Sequence, residues 1–244
     1  MKKVWIDAGH GGKDTGASAN GLKEKNIVLA VSLGAKKRLE AEYEGVQVML
    51  SRSTDVFVEL ADRTNAANRA GADILVSIHC NAGGGAGGFE SFRYINPQPA
   101  SIALQNMLHA EIMAALKPFG VTDRGKRLKN LHMVRESKMP AVLTENLFID
   151  VAADASRLKR QDVIDALIQG HVTGIAKYLG LKKREEKQLD NKKRDIDKVS
   201  PWAAAAWEEM TENGYFDGKR PGALMTREEV AIVLNRFRKN VLQK

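Results

Sequence analysis

The chain has 244 residues, of which 43% are hydrophobic and 28% are charged. This length fits one large domain, or a medium domain with a small second one. The net charge of +8 indicates a basic surface, which favours a polyanionic partner or serves only to keep the protein in solution. A single cysteine excludes an intrachain disulfide, and no apolar run is long enough to predict a transmembrane helix.

The N-terminus does not have the pattern of a signal peptide. Two lysines follow Met1, but the apolar stretch after them ends at Asp7. A signal peptide needs a longer apolar region and a cleavage site with small residues. We therefore expect synthesis in the cytoplasm without a signal peptide, and no stable insertion into a membrane.

Strands and helices alternate between residues 3 and 180. Apolar runs and helical periodicity predict strands at 3–8, 46–52, 73–79, 89–95 and 141–149, and helices at 25–43, 59–70, 100–117 and 161–179. The glycine-rich segment 83–88 is predicted to be a loop. This alternation predicts an α/β fold, with an open, mostly parallel, twisted sheet flanked by helices on both faces. Functional sites of such folds lie beyond the carboxyl ends of the strands.

The composition changes after residue 181. Charged side chains dominate residues 182–198, which indicates a solvated helix or a disordered linker. Apolar periodicity returns in 199–244 and predicts a small helical module, too small to be comfortably stable alone. The sequence thus predicts a domain at 1–181, a charged linker at 182–198 and a helical module at 199–244.

Two histidines follow predicted strands. His10 lies in a glycine-rich turn after the first strand, and His79 ends the third. Parallel strands place both at one edge of the sheet, and two histidines with a carboxylate are a common zinc-binding set in catalytic sites. Glu24 opens the first predicted helix and is a candidate third ligand, although stabilisation of the helix start explains it equally well.

Glu145 is unusual because it is a carboxylate inside an apolar strand, AVLTENLFI. Charged residues are rarely buried without a partner. The position therefore predicts a nearby cation, a metal-bound water or a hydrogen-bond network. A buried ion pair is the alternative that implies no catalysis.

Four segments in order resemble the third type of N-acetylmuramoyl-L-alanine amidases. They are DAGHGG at 7–12, Glu24 before a helix, SIHCNA at 77–82 and PAVLTE at 140–145. The linking segment 50–55, Leu60, Arg63 and Ala67-Asn68 are similar to the family as well, so the resemblance spans about residues 3–180.

The resemblance implies one zinc ion bound by His10, Glu24 and His79, with Glu145 as the catalytic carboxylate. The substrate would be bacterial peptidoglycan, cleaved at the amide between N-acetylmuramic acid and L-alanine. Glu145 would take a proton from water and deliver it to the leaving amine. Such a protein would act on the cell wall after its release, as a lytic enzyme of the endolysin or autolysin kind.

The sequence departs from the family pattern at three positions. Asn146 and Asp150 replace the residues usual beyond the catalytic glutamate, and Cys80 replaces the usual alanine after the second histidine. Cys80 is not expected to be a ligand, because neighbouring residues of a strand point to opposite faces.

The tail from Ser200 to Ala231 resembles a single S-layer homology repeat, a type associated with attachment to bacterial walls. One repeat alone leaves apolar surface exposed, so homo-oligomerisation through this module is an alternative to wall binding. A helical hairpin docked on the catalytic domain is a third interpretation.

The sequence is also compatible with functions other than amide hydrolysis. A wall-binding protein without catalysis and a zinc peptidase acting within stem peptides are the main alternatives. Anionic wall polymers are candidate partners of the basic surface. No nucleic-acid partner is expected, because only the charge favours one and no recognised motif accompanies it.

Overall fold

The computed structural model describes residues 1–184, 199, 201–216, 219 and 227–242. The chain divides into two units, Met1–Arg184 and Glu185–Lys244. The first unit contains the predicted α/β domain. Most of the predicted linker, from 185 to 198, lies outside the described residues.

The elements of the first unit follow the predicted order. Its strands are β1 Lys2–Ala8, β2 Ser18–Ala19, β3 Leu22–Lys23, β4 Val46–Leu50, β5 Ile74–Asn81, β6 Phe89–Arg93, β7 Asp123–Leu128 and β8 Ala141–Phe148. Its α-helices are α1 Glu24–Glu42, α2 Leu60–Ala70, α3 Pro99–Leu116, α4 His132–Arg135, α5 Ala152–Leu158 and α6 Gln161–Leu179.

Six of the strands form one mixed sheet in the order β4-β1-β5-β8-β6-β7. β4, β1, β5 and β8 are parallel, whereas β6 pairs with β8 in the antiparallel direction and carries β7 parallel to itself. The predicted fold class, a mostly parallel sheet flanked by helices, is confirmed. The reversal has one consequence for the site: the beginnings of β6 and β7 lie at the same edge as the ends of β1, β5 and β8.

The two faces of the sheet are covered by different helices. The larger apolar cluster takes residues from α1, α3 and α6, and the smaller one lies beside α2 and α4. β5 alternates between them, with Val76, Ile78 and Cys80 in the larger cluster and Leu75 in the smaller. Cys80 therefore points away from His79, in agreement with its predicted exclusion from the ligands.

The sequence did not predict β7, α4, α5 or the short hairpin of β2 and β3. β7 has the sequence DRGKRL, and most of its side chains are exposed. It is an edge strand, and its mostly charged sequence lacks the alternation of apolar and polar residues by which half-buried strands are recognised.

The second unit contains two described α-helices, α7 Ala204–Glu212 and α8 Arg227–Leu242. Trp207 stacks on Phe216 with ring centroids 4.8 Å apart. The ring centroids of Tyr215 and Phe237, the latter in α8, are 5.8 Å apart. Residues 217–218 and 220–226 of the predicted module lie outside the described residues. The resemblance to an S-layer repeat stays a prediction. Among the described helices, none is both long and apolar enough to cross a membrane.

Candidate active site

A strained turn follows β1 and carries His10. The backbone is left-handed at His10, with φ of 58°, and at Gly11 and Gly12, with φ of 126° and 56°. Left-handed backbone is uncommon for a residue other than glycine, so the surrounding structure must hold His10 in place.

Two buried arginines hold this turn by its carbonyl groups. Arg52 donates to the carbonyl oxygens of Ala8 (3.0 Å) and Gly9 (2.8 Å), and Arg63 donates to those of Ala8 (2.6 Å) and His10 (2.7 Å). Because a guanidinium has five N–H groups in a rigid plane, it can fix several carbonyls at once. The turn that presents His10 is therefore built from side chains distant in the sequence.

Arg63 also forms a buried ion pair with Asp7, at 2.9 Å, while Asp7 accepts a 2.7 Å hydrogen bond from Ser77. Burial by itself would raise the pKa of Asp7, but the charges of Arg63 and His79, together with hydrogen bonds from two serines, hold the pKa below its usual value. Asp7 is thus ionised and completes the support of the turn.

We expect Arg63→Ala to lower the free energy of unfolding by about 3–5 kcal/mol, because it leaves the Asp7 carboxylate buried without its cation. Urea denaturation followed by circular dichroism measures this. Arg69→Ala, on the exposed face of the same helix, is the matched control and should change stability by less than about 0.5 kcal/mol. A loss for Arg63→Ala no larger than that of the control would contradict the proposed support.

Three side chains converge beside this turn. His10 Nε2 lies 3.2 Å from Glu24 Oε1, His79 Nδ1 lies 3.0 Å from the same oxygen, and the two nitrogens are 3.2 Å apart. Glu24 begins α1, yet its carboxylate accepts from the N–H groups of Ala17 and Cys80, both at 2.9 Å. His79 comes from the end of β5, so three separate elements supply the cluster.

The cluster leaves no room for additional side-chain atoms. A Cβ on Gly9 would lie 2.3 Å from the His79 ring, and one on Gly16 would lie 2.5 Å from Glu24 Oε2. Glycine at these two positions allows the close approach of the backbone to the converging side chains.

The arrangement fits a tetrahedral metal ion. An ion with bonds of about 2.0–2.2 Å places tetrahedral ligand atoms about 3.3–3.6 Å apart, which is slightly wider than the observed triangle of 3.0–3.2 Å. Two imidazole nitrogens and a carboxylate oxygen also form a donor set that zinc accepts in catalytic sites. In the described part of the chain, His10, Glu24 and His79 are the one group of side chains that could hold a metal.

The charges of the cluster are strongly coupled. Burial would lower the pKa of His10, but the hydrogen bond and charge of Glu24, followed by those of Asp14, raise it to about 9. Burial would also lower the pKa of His79, but the hydrogen bond to Glu24 and the charges of Glu145, Glu24 and Asp7 together raise it. Burial opposes ionisation of Glu24, but both histidines hold its pKa well below the usual value. Without a metal, His10 is therefore a positively charged imidazolium at neutral pH, and the surroundings of His79 also favour its charged form.

Glu145 lies next to this cluster, on β8. It is the register partner of His79 across β5 and β8, and of Glu90 across β6 and β8. Its Oε2 is buried without a hydrogen-bond partner among the described residues. Burial, with help from the charges of Glu24 and Glu90, raises its pKa to about 7 against the opposing charge of His79. A carboxylate with this pKa can exchange a proton near neutral pH.

Two pockets flank His79 and Glu145. One has a volume of about 290 Å³ and includes His10 and His79 together with the apolar residues Phe57, Val58 and Leu60. The other has a volume of about 280 Å³ and includes Glu145 with mostly polar residues. The two histidines therefore line one solvent-accessible space, and Glu145 lines another.

Two aspartates after β8 anchor the glycine-rich loop beside the second pocket. Asp150 accepts from the N–H groups of Gly83 (2.9 Å) and Gly84 (2.8 Å), and Asp154 accepts from that of Gly88 (2.6 Å). Asp150 departs from the family pattern, and this contact gives it a structural role. Asn146, the other departure after Glu145, donates to the carbonyl of His79 at 2.9 Å.

The remaining histidines lie away from the cluster. Ser91, His109 and Asp123 are connected by hydrogen bonds of 2.8 and 2.9 Å in the order of a serine hydrolase triad. However, Ser91 is fully buried, so its hydroxyl cannot reach a substrate. His171 is buried against Thr144, and His132 contacts Thr64. Sequence reasoning assigned no chemistry to these residues.

Comparisons with known proteins identify a family for this chain. The sequence pattern of a family of N-acetylmuramoyl-L-alanine amidases matches residues 4–177. The sporulation-specific N-acetylmuramoyl-L-alanine amidase of Bacillus subtilis is 47% identical over 189 residues, covering 78% of this chain and 72% of that protein. The endolysin of Bacillus phage SPP1 is 48% identical over 185 residues, covering 75% of this chain and 68% of that protein.

Solved structures show the same fold. The catalytic domain of CwlV, an N-acetylmuramoyl-L-alanine amidase from Bacillus (Paenibacillus) polymyxa, superposes with a TM-score of 0.70 at 38% identity, covering 75% of this chain and all of that one. An N-acetylmuramoyl-L-alanine amidase from Clostridium difficile superposes with a TM-score of 0.70 at 33% identity, covering 73% of this chain and 97% of that one. The family match ends at residue 177, before the second unit.

Proposed function

This chain belongs to the N-acetylmuramoyl-L-alanine amidase family and cleaves peptidoglycan amide bonds, and on that premise we propose that His10, Glu24 and His79 hold one zinc ion and that Glu145 is the catalytic carboxylate. The bond is the amide between N-acetylmuramic acid and L-alanine. The observation that carries the assignment is the triangle of three ligand atoms beside a buried carboxylate with a raised pKa.

Zinc bound at this cluster supplies a Lewis acid that polarises a substrate carbonyl and makes water more acidic. Glu145 acts on protons. It accepts one from the attacking water and donates it to the departing amine of L-alanine, and a pKa of about 7 suits both directions of transfer. Asp14, 2.9 Å from His10 Nδ1, orients the His10 ring from its far side.

The test is digestion of purified cell wall. We expect new free amino groups on L-alanine and new lactyl carboxyl groups, and loss of both products when a chelator is present. Cleavage between residues of the stem peptide would instead favour a zinc peptidase. Absence of stoichiometric zinc together with absence of cleavage would favour a wall-binding protein without catalysis.

Zinc binding should release protons. Both ligand histidines have raised pKa values without metal, His10 to about 9, and must lose their protons before they can bind the ion. At pH 6.5 we expect release of about one to two protons, and an affinity that rises as the pH increases. Isothermal titration calorimetry in buffers of different ionisation enthalpy measures the number.

Asp14→Asn is the matched variant for this experiment. It keeps all three ligands but removes a charge that helps to raise the pKa of His10, so near pH 9, the wild-type pKa of His10, fewer protons should be released. Proton release that is near zero in the wild-type protein would contradict the proposed ligation by these histidines.

The biological setting is part of the proposal. Relatives include a sporulation amidase and a phage endolysin, which supports a lytic role on the cell wall as an autolysin or an endolysin. We assign catalysis to residues 1–181. We assign wall binding or self-association to residues 199–244, with anionic wall polymers as candidate partners. Co-sedimentation with walls stripped of anionic polymers, compared with untreated walls, separates these two roles.

A further inference from the structure

The pocket on the Glu145 side contains two cations, Arg124 and Lys129, that no step of the proposed reaction uses. We propose that these two residues bind a free carboxylate of the stem peptide and so place the peptide on the Glu145 side of the scissile amide. This inference rests on the proposed amidase function, whose substrate carries the peptide. It assigns a direction to the substrate and a determinant of specificity.

A β-bulge directs Arg124. Phe89 of β6 pairs with Asp123 of β7, but Glu90 pairs with Gly125, so Arg124 is an extra residue in β7. Gly125 has φ of 89°, in the left-handed region that favours glycine. Bulges redirect a side chain and are frequent beside active sites. This one occurs where β7 begins, at the edge of the sheet that carries Glu145.

The side chain of Arg124 is held in place, but some of its N–H groups have no hydrogen-bond acceptor among the described residues. Its guanidinium lies over the Phe148 ring at 4.5 Å, and its Nε lies 3.3 Å from Glu90 Oε2. Its Nη1 makes a long contact of 3.4 Å with the carbonyl of Gly87, while its Nη2 donates to no described residue. A guanidinium fixed on an aromatic ring with free N–H groups is well suited to bind a carboxylate.

Lys129 directly follows β7 and is exposed. Its ammonium lies 5.6 Å from the centre of the Phe92 ring and forms no ion pair or hydrogen bond with the described residues. Since no carboxylate in the described part of the chain balances its charge, it is available to a carboxylate of a ligand.

The acidic residues of the pocket neutralise the charges of Arg124 and Lys129 only in part. Glu90 also accepts hydrogen bonds from Arg127 (2.9 Å) and Asn81 (2.6 Å), so its negative charge is shared among several donors. Glu145 has a buried Oε2 and is the register partner of His79. The exposed part of the pocket therefore presents positive charge.

The pocket beside His10 and His79 is less polar than the one beside Glu145. Its walls include Phe57, Val58 and Leu60. The two sides of the scissile amide also differ, because only the peptide side carries free carboxylates. In the substrate, the lactyl carboxyl of the muramic acid is consumed in the amide, so the glycan side of the bond carries no charge there. The stem peptide carries free carboxylates. The basic pocket thus fits the anionic peptide, which leaves the other pocket for the uncharged lactyl side of the bond.

The experiment compares two soluble substrates that lack wall polymers. Both are muramoyl peptides, one with a free α-carboxylate on the residue after L-alanine and one with that carboxylate amidated. We expect the wild-type enzyme, as the zinc-loaded full chain, to show a kcat/KM about tenfold higher for the free acid, chiefly through KM. Lys129→Gln should reduce this preference to about two- to threefold, and Arg124→Gln should reduce it as well.

Lys126→Gln is the control, because Lys126 lies on the same strand but donates to Asn106 of α3. It should keep the wild-type preference. Equal kcat/KM for the two substrates in the wild-type enzyme would overturn the inference, as would equal losses on both substrates in the Lys129 and Arg124 variants. Failure to cleave either substrate at the lactyl amide would instead refute the proposed function.

Discussion

Replacing Glu145 with alanine is expected to lower the rate of amide hydrolysis by about 10²–10⁴-fold, while zinc stays bound. The physical reason is that the buried carboxylate, with a pKa near 7, is the group placed to move protons beside the metal-ligand cluster. The rate is measured by the appearance of L-alanine amino termini from purified wall, and the zinc content by metal analysis of the same preparation.

A charge-removing variant separates chemistry from folding. Glu145→Gln keeps the shape of the side chain, so it should lose activity like the alanine variant and still fold. Glu44→Ala, an exposed glutamate outside both pockets, should keep full activity. Retained activity in Glu145→Gln would remove Glu145 from its proposed role.

Glu145→Gln is expected to lower activity but to raise the free energy of unfolding. In the metal-free protein, burial raises the pKa of Glu145 from 4.5 to about 7, so ionising it in the folded state opposes folding. This penalty is absent below pH 4.5 and develops as the pH rises through 7, to at most about 3 kcal/mol. We expect Glu145→Gln to exceed the wild-type free energy of unfolding by more at pH 8 than at pH 5. An advantage independent of pH would contradict the raised pKa.

Replacing His79 with alanine is expected to abolish stoichiometric zinc and to lower activity by more than about 10³-fold. The change removes one of three ligands and also one of two imidazoles that balance the buried charge of Glu24. Chelation of the wild-type enzyme should produce the same loss, and added zinc should restore the wild-type activity but not that of the variant.

Circular dichroism must accompany this experiment, because Glu24 loses a partner. His132→Ala is the matched control, since His132 is a partly buried histidine that contacts Thr64 outside the cluster. It should keep both zinc and activity. A His79→Ala variant that folds, retains one zinc per chain and hydrolyses the wall would refute the proposed ligand set.

Much of the catalytic edge could be predicted from the sequence. The first, third and last predicted strands are recognisable as apolar runs, and parallel strands bring their carboxyl ends together. That is enough to place His10 and His79 near each other and to make Glu145 conspicuous. The fold class follows from the same alternation of strands and helices, and the structure confirms it.

Glu24 shows where local sequence stops being informative. A carboxylate at a helix start has two explanations, and no spacing chooses between them. The structure directs the carboxylate to His10, His79 and the N–H of Cys80, and the residue before α1 makes no side-chain capping hydrogen bond. The metal-ligand interpretation thus gains its geometric support from tertiary contacts.

The sequence by itself determined the fold class, the order of the strands that bear His10, His79 and Glu145, and the family, because these depend on local periodicity and short motifs. Only the tertiary structure decided which residues support and line the site. Arg52 and Arg63 reach the His10 turn from distant segments, and the reversed strand β6 brings the charged edge strand with Arg124 beside Glu145. Such contacts depend on the pairing of distant segments, which leaves no local pattern in the chain.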